Sequence, residues 1–123
     1  MQLRRLTDVF SVCRLSPKSA LPAYSSDGFF SLTRTSEEVS VVCREQDAPP
    51  DCVQERGWRG IQVVGPIPFT MVGVLHSLTA PIAQAGISLF AISTYDTDYL
   101  LVKVQDFERA IQVLKAAGHE IEE

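Results

Sequence analysis

The chain has 123 residues, of which 46% are hydrophobic and 21% charged, so it can form one compact domain or two very small ones. Its formal net charge is -4 at pH 7. A phosphate-binding surface needs clustered Lys and Arg, so this charge balance argues against nucleic acid as a partner.

The N-terminal residues and the cysteines predict a cytoplasmic protein. The first residues lack the apolar segment of a secretory signal, and no apolar run approaches the roughly 20 residues that a membrane span needs. The 3 cysteines include no Cys-x-x-Cys spacing, and their odd number leaves at least one thiol unpaired, which suits a reducing compartment. We therefore expect no membrane partner.

The first half of the chain predicts three strands and a short helix. Apolar and β-branched residues between turn residues indicate the strands, which are predicted at 6–15, 29–33 and 39–44. Pro49 and Pro50 are suited to the first positions of a short helix, which Gly57 would end.

The second half predicts two helices and four strands. The first helix spans 71–85, with Pro81 inside it, where the proline removes a hydrogen bond to Ser77, and Gly86 suits a left-handed cap. Its apolar face consists of Met71, Val74, Leu75, Leu78, Ile82 and Ala85. Asp106 caps the last helix, and Gly118 ends it. The apolar face of this helix consists of Phe107, Ala110, Ile111, Leu114 and Ala117. The strands are predicted at 61–64, 87–92, 99–104 and 119–121.

The order of elements in the second half is typical of one fold class. Strand, helix, strand, strand, helix and strand follow one another, which is the βαββαβ order of the ferredoxin-like folds. In that α+β architecture an antiparallel sheet carries both helices on one face. We therefore predict this arrangement for the second half of the chain.

The first half repeats part of the second. A shift of 59 residues places Thr35 on Thr94 and aligns the runs that follow, which indicates an internal duplication. We therefore predict two ferredoxin-like halves, the first degenerate, at 1–59 and 60–123. Each half needs the strand at 61–64, so we expect one folding unit, and which half owns that strand stays open.

The sequence offers no recognisable pattern for catalysis or metal binding. No Ser or Cys is accompanied by a His and an acid in the arrangement of an activated nucleophile. The potential soft ligands form no metal-binding spacing; they are Cys13, Cys43, Cys52, His76 and His119. We therefore expect neither an enzyme nor a metal or other cofactor.

Polar residues are concentrated at the tip of the predicted hairpin, at 93–98. Asp96 and Asp98 fit two interpretations, turn chemistry and ligand binding, and both stay open. The start of the preceding helix, around 70–73, offers backbone N–H groups to an anion, and Gly73 permits a close approach. A free amino acid carries a carboxylate and an ammonium group, so these two elements predict a site for such a ligand.

Two stretches of the chain are distinctive, FFSLTRTSEEVSVVC and GPIPFTMVGVLHSLTAPIAQAGISLFAISTYDTDYLLVK. In them the chain resembles the ACT-domain family, whose members are regulatory modules that bind amino acids. The likeness is specific to small bacterial proteins built of two ACT-type halves. It extends to the paired ACT modules of cytosolic arginine sensors in animal cells, which are similar in the hairpin ISTYDTDYLLV. The resemblance covers nearly the whole chain.

The resemblance implies a non-catalytic regulator that holds a small molecule, expected to be a free amino acid, at an interface between ACT modules in a homodimer. The site residues that it implicates are Phe69, Thr70, Met71, Val72, Gly73, Ser93, Thr94, Tyr95, Asp96, Thr97 and Asp98. The first half has 34–38 in place of the polar tip, so we expect no equivalent second pocket there. The alternative is a structural module that dimerises and supports an assembly without a ligand.

Overall fold

The computed structural model describes residues 1–22 and 28–122, which contain both helices and strands. In chain order the elements are β1 (Gln2–Leu15), β2 (Ser31–Arg34), β3 (Val39–Arg44), β4 (Val53–Val63), α1 (Val74–Gln84), β5 (Leu89–Ser93), β6 (Asp98–Lys103), α2 (Phe107–Ala116) and β7 (Glu120–Glu122). Short 3-10 helices follow β3 at Glu45–Asp47 and β6 at Val104–Asp106.

The chain divides into two compact units. Unit 1 comprises Met1–Thr7 and Arg59–Glu123, and unit 2 comprises Asp8–Trp58. Strands β1 and β4 contribute residues to both units. The N-terminal residues therefore group with unit 1, whereas the sequence placed them in the first half. That the chain consists of two ACT-type halves stays a prediction.

Unit 1 has the predicted mixed α+β arrangement. The end of β4 is followed by α1, β5, β6, α2 and β7, and the strands β4, β6 and β5 are hydrogen-bonded neighbours in that order. Strands β5 and β6 form an antiparallel hairpin in which Ser93 is opposite Asp98. Strand β7 pairs in parallel with the start of β1, where Leu3 is opposite Ile121. The first strand thus begins at Gln2, earlier than the predicted residue 6.

The two helices of unit 1 bury different shares of their predicted apolar faces. Helix α2 buries the predicted residues except Ala117, which is exposed. Helix α1 begins at Val74 rather than at Met71, and its buried residues are Leu78 and Ile82. Because the helix starts three residues later than predicted, Met71 lies outside it. Met71 is exposed, and so is Leu75, although Leu75 lies within the helix. The apolar stripe therefore reaches beyond the core of unit 1.

The predicted proline and glycine positions of α1 and α2 are confirmed, but Asp106, which directly precedes α2, makes no side-chain capping hydrogen bond among the described residues. Pro81 lies inside α1. Gly86 and Gly118 follow the two helices with φ angles of 73° and 98°, a left-handed conformation that glycine adopts without steric cost. The core that the helices cover consists of Leu3, Ile61, Val63, Leu78, Ile82, Ile87, Leu100, Val102, Phe107, Ala110, Ile111 and Leu114.

Unit 2 is built around an antiparallel group of strands. Strand β3 pairs with β1, where Cys13 is opposite Val41, and β2 pairs with β3 on its other side. The buried cluster on one face of these strands consists of Cys13, Val39, Val41 and Cys43. The predicted third strand, 39–44, is confirmed at both ends.

The helix predicted after Pro49 and Pro50 is wrong. The chain extends into β4 from Val53, and Ser11 on β1 donates a hydrogen bond through Oγ to Gln54 Oε1 at 2.9 Å. Strand β1 is a hydrogen-bonded neighbour of β4. Pairing along this ladder satisfies the backbone of β4, and it outweighs the local helix-start signal of the two prolines.

The 59-residue offset recurs in the elements themselves. Strand β3 and the 3-10 helix after it each lie 59 residues before β6 and its 3-10 helix. The turns match as well, since Thr35 N–H donates to the Glu38 carbonyl at 2.9 Å, and Thr94 N–H donates to the Thr97 carbonyl at 2.8 Å. The hairpin framework is therefore present in both units, with different side chains at its tip.

Candidate functional site

The tip of the β5–β6 hairpin, Ser93–Asp98, is closed by its own hydrogen bonds. Besides the bond from Thr94 N–H, the Thr97 carbonyl accepts one from Thr94 Oγ1 at 3.0 Å. Thr97 N–H donates back to Thr94 Oγ1 at 3.3 Å. Threonine side chains commonly stabilise turns in this way, so the shape of the tip follows from its own sequence.

Two hydrogen bonds hold this tip against the segment that leads from β4 to α1. Ile67 N–H donates to the Asp96 carbonyl at 2.7 Å. Thr97 Oγ1 donates to the Val63 carbonyl at 2.6 Å. The loop and the tip that the sequence singled out separately are therefore neighbours within unit 1.

A cavity of about 320 Å³ opens between this loop and the tip. Its lining consists of Ile67, Pro68, Phe69, Met71, Gly73, Val74, Leu75, Ser93, Thr94, Tyr95, Asp96, Thr97 and Asp98. Among the predicted site residues, Thr70 and Val72 do not line the cavity, and the other nine do. That these nine bind a ligand stays a prediction.

Sequence reasoning missed four apolar residues of this lining. They are Ile67, Pro68, Val74 and Leu75. The helical periodicity placed Val74 and Leu75 on the core-facing side of α1, and nothing in their residue types indicates a binding site. The rigid Pro66-Ile67-Pro68 run before the helix was the available signal, because it fixes the direction in which the loop leaves β4.

The tip gives the cavity a negative character. Asp98 Oδ1 accepts a hydrogen bond from Ser93 Oγ at 2.6 Å, across the register in which the two residues are opposite each other. Asp96 is exposed. Among the described residues that line the cavity, none is Lys, Arg or His. Two carboxylates in such a lining attract positively charged groups.

The start of α1 gives the cavity an electropositive side. Gly73 precedes the helix with φ of 80°, and no side chain among the described residues caps this end. The first N–H groups of a helix have no partner within the helix, and the helix dipole favours an anion there. Gly73, Val74 and Leu75 line the cavity. The start of α1 and the two carboxylates of the tip therefore line the same cavity.

Exposed apolar side chains occur in the loop and the tip that form the cavity. The rings of Phe69 and Tyr95 meet edge to face, with centroids 5.0 Å apart and an angle of 78°. Phe69 is 74% exposed, Tyr95 82% and Val72 93%. We refer to these three residues as the rim. Adjacent exposed apolar residues of this kind are typical of surfaces that contact a ligand or another protein.

Within 1–22 and 28–122, no three His, Cys, Asp or Glu side chains are grouped as metal ligands. None of the helices in the described ranges is long and apolar enough to cross a membrane.

The βαββαβ order of unit 1, with a cavity between the first loop and the hairpin, defines a small ferredoxin-like module. The chain belongs to the ACT-domain family, because the family model of the ACT domain matches residues 53–116. A second family model, which describes an N-terminal domain, matches residues 8–51.

Relatives with a described role are longer than this chain. The cytosolic arginine sensor for mTORC1 subunit 1 from Bos taurus is 32% identical over 105 residues, which cover 76% of this chain and 32% of the sensor. The human protein of the same name is 31% identical over 110 residues. This chain spans about a third of the length of these curated relatives.

Solved structures agree with the fold. A crystal structure of an Agobacterium tumefaciens protein is 36% identical, with a TM-score of 0.91, and the match covers 98% of this chain and 91% of that one. Aspartate kinase from Clostridium acetobutylicum, described as an allosteric enzyme, has a TM-score of 0.67 over 94% of this chain and 33% of its own. Its identity of 11% shows a common fold alone.

Proposed function

We propose that the protein is a non-catalytic regulatory module that binds a free amino acid in the cavity of unit 1. The observation that carries this proposal is the meeting of two elements, the start of α1 and the tip Ser93–Asp98, around one cavity. The relatives named arginine sensors support a sensing role, and their description as cytosolic supports the cytoplasm as its location. An amino acid has two charged ends, and the cavity offers a suitable partner to each.

Arginine is the first ligand that we propose. Its carboxylate would accept hydrogen bonds from the N–H groups at the start of α1, near Gly73. Its ammonium and guanidinium groups would donate to Asp96 and Asp98, since guanidinium pairs well with carboxylates. The lining has two carboxylates and, among the described residues, no cationic side chain, so a ligand with a net positive charge fits better than an acidic one.

We place the ligand at an interface with another ACT module in a homodimer. The exposed rim supports this arrangement, because a second module packed on Phe69, Val72 and Tyr95 would remove apolar surface from water and close the cavity mouth. A regulator also needs the ligand to favour one arrangement of the modules over another. A ligand enclosed by both modules satisfies that condition, because it binds the closed pair better than the open one.

Thermal melting in the presence of each standard amino acid tests the proposal. A ligand at about 100 times its Kd stabilises the folded state by about 2.7 kcal/mol, so arginine should raise Tm measurably. Citrulline has nearly the shape of arginine but a neutral side chain in place of the guanidinium group. It is the matched control and should raise Tm much less. If no amino acid raises Tm at millimolar concentration, the module does not sense free amino acids.

A structural role is the second candidate. The rim favours it independently, since exposed apolar residues serve a protein interface whether or not a ligand is present. A structural module would form a dimer of unchanged affinity with and without amino acids. Sedimentation equilibrium with and without arginine separates the two functions.

A further inference from the structure

Thr97 differs from the other residues of the hairpin tip. It lies between the two carboxylates, Asp96 and Asp98, yet its side chain is only 6% exposed. Its hydroxyl donates to the carbonyl of Val63 at 2.6 Å, and Val63, the last residue of β4, is itself fully buried. The N–H and carbonyl groups of Thr97 both bond to Thr94. The polar groups of Thr97 are therefore engaged within the protein and not offered to a ligand.

The backbone beside Thr97 approaches the tip very closely. A Cβ atom on Gly65 would lie 3.0 Å from the carbonyl oxygen of Asp96 and 3.0 Å from Cβ of Thr97. Cβ atoms essentially never lie closer than this to another heavy atom, and the Asp96 oxygen belongs to the backbone and cannot rotate away. The same oxygen accepts the 2.7 Å bond from Ile67 N–H. Residue 65 must therefore be small for the tip to keep this position.

The geometry points to Thr97 as a positioning residue that, seated against Gly65, fixes the two neighbouring carboxylates at the cavity. This inference rests on the proposed function, and it removes Thr97 from the predicted ligand contacts. Thr97 is buried, whereas Asp96 is exposed and Asp98 is half-buried, and both aspartates line the cavity. The bonds made by Thr97 therefore fix the backbone that carries both carboxylates. Loss of the hydroxyl bond frees the tip from β4, and the carboxylates then lose their fixed place relative to the start of α1.

We refer to the bond from Thr97 Oγ1 to the Val63 carbonyl, with the close approach of Gly65, as the tether. Three variants separate the contributions of the hydroxyl, the methyl group and residue 65 to it. Thr97→Val keeps the shape of the side chain and removes its hydroxyl. Thr97→Ser keeps the hydroxyl and loses a methyl group. Gly65→Ala leaves Thr97 unchanged and adds a methyl group that crowds the Asp96 carbonyl. Thr33→Val, at an exposed threonine of β2 in unit 2, is the matched control.

Amide hydrogen exchange of the protein without ligand gives the first measurement. In Thr97→Val we expect exchange at Ile67 and Thr97 to rise by about tenfold, with the amides of β6 unchanged, because only the tip opens. Gly65→Ala should do the same. Thr97→Ser and Thr33→Val should match the wild type. A uniform rise across unit 1 would show a merely structural role and would overturn the inference, as would unchanged exchange at both amides.

Arginine affinity, measured by calorimetry, gives the second measurement. Thr97→Val and Gly65→Ala should each weaken binding by about tenfold, while Thr97→Ser retains it. Wild-type affinity in Thr97→Val would overturn the positioning role. If the wild type binds no amino acid, the proposed function fails on its own account. The exchange measurement then tests the tether by itself. A rise confined to the tip amides supports the tether, and a uniform rise or no rise overturns it.

Discussion

The imidazole Nε2 of His119 lies 2.9 Å from the carbonyl oxygen of Ser77 in α1. Pro81 stands four residues after Ser77, and a proline has no N–H to donate to that carbonyl. A carbonyl only accepts, so His119 carries its proton on Nε2 and donates. His119 is 9% exposed, so little water reaches this position. The histidine therefore supplies the hydrogen bond that the proline removes from the helix.

A double-mutant cycle tests this relationship. His119→Ala should lower the free energy of unfolding by about 1 to 3 kcal/mol, because it leaves the Ser77 carbonyl without its donor. In a Pro81→Ala background, residue 81 regains an N–H, and His119→Ala should cost less. Urea unfolding of the four proteins gives the coupling free energy. Equal costs in both backgrounds would show that His119 acts through its other contacts, which include its Nδ1 atom 3.2 Å from the N-terminal ammonium of Met1.

Asp98 should contribute to ligand affinity more than to stability. Asp98→Asn removes a negative charge facing the cavity, so we expect arginine binding to weaken by about 1.5 to 3 kcal/mol, the range for hydrogen bonds to charged groups. Tm should stay close to that of the wild type, because Ser93 can still donate to the amide oxygen. Calorimetry and thermal melting give the two quantities.

Asp51→Asn is the matched control for Asp98→Asn. Asp51 has a φ of 58°, a left-handed conformation that asparagine also tolerates. It does not line the cavity. Arginine affinity should be unchanged in this variant. Unchanged affinity in Asp98→Asn as well would show that Asp98 stabilises the turn and does not bind the ligand.

Local signals in the sequence were sufficient to predict most of the helices and strands of unit 1. The apolar period of α2, Pro81 inside α1 and the glycines after both helices are properties of short segments, and each was predicted correctly. The helix predicted after Pro49 was wrong, because the conformation of β4 depends on pairing with β1, a strand far away in the sequence.

The candidate site shows the same division between local and distant information. Its polar tip was visible in the sequence, because Asp and Thr crowd together in a hairpin turn. The bonds from Thr97 to Val63 and from Ile67 to Asp96 join segments about thirty residues apart, and no local pattern indicates them. Four apolar residues of the lining were missed for a related reason. An exposed Leu75 and a buried leucine of the same helix look alike in the sequence.

The rim should be needed for association and not for folding. Phe69→Glu places a charge where the proposed homodimer buries an aromatic ring, so the variant should be monomeric at concentrations where the wild type is a dimer. Tm of the monomeric state should change little, because Phe69 is largely exposed. Sedimentation equilibrium measures the difference. Leu21→Glu, at an exposed apolar residue of unit 2, is the control and should leave association unchanged. A wild type that is monomeric throughout would contradict the homodimer.

The thiols of unit 2 should make stability depend on alkaline pH. Burial raises the pKa of Cys13 above its ordinary value of 9.0, against a smaller lowering by the Ser11 hydrogen bond. Burial, followed by the neighbouring Cys13, also raises the pKa of Cys52 above 9.0. The folded chain therefore holds these protons more tightly than the unfolded chain. The free energy of unfolding should fall as pH rises above about 9 toward the folded-state pKa values.

The variant Cys13→Ala/Cys52→Ala removes both groups, so its free energy of unfolding should fall less steeply over the same range. Urea unfolding under reducing conditions from about pH 7 to pH 10 gives both curves. All other ionisable groups are common to both proteins, so the difference between the two curves reports on the thiols. The alanine variant is expected to be less stable at neutral pH, because Cys13 is buried and its replacement leaves a small cavity. Parallel curves would show that the thiols lose their protons equally in the folded and unfolded chains.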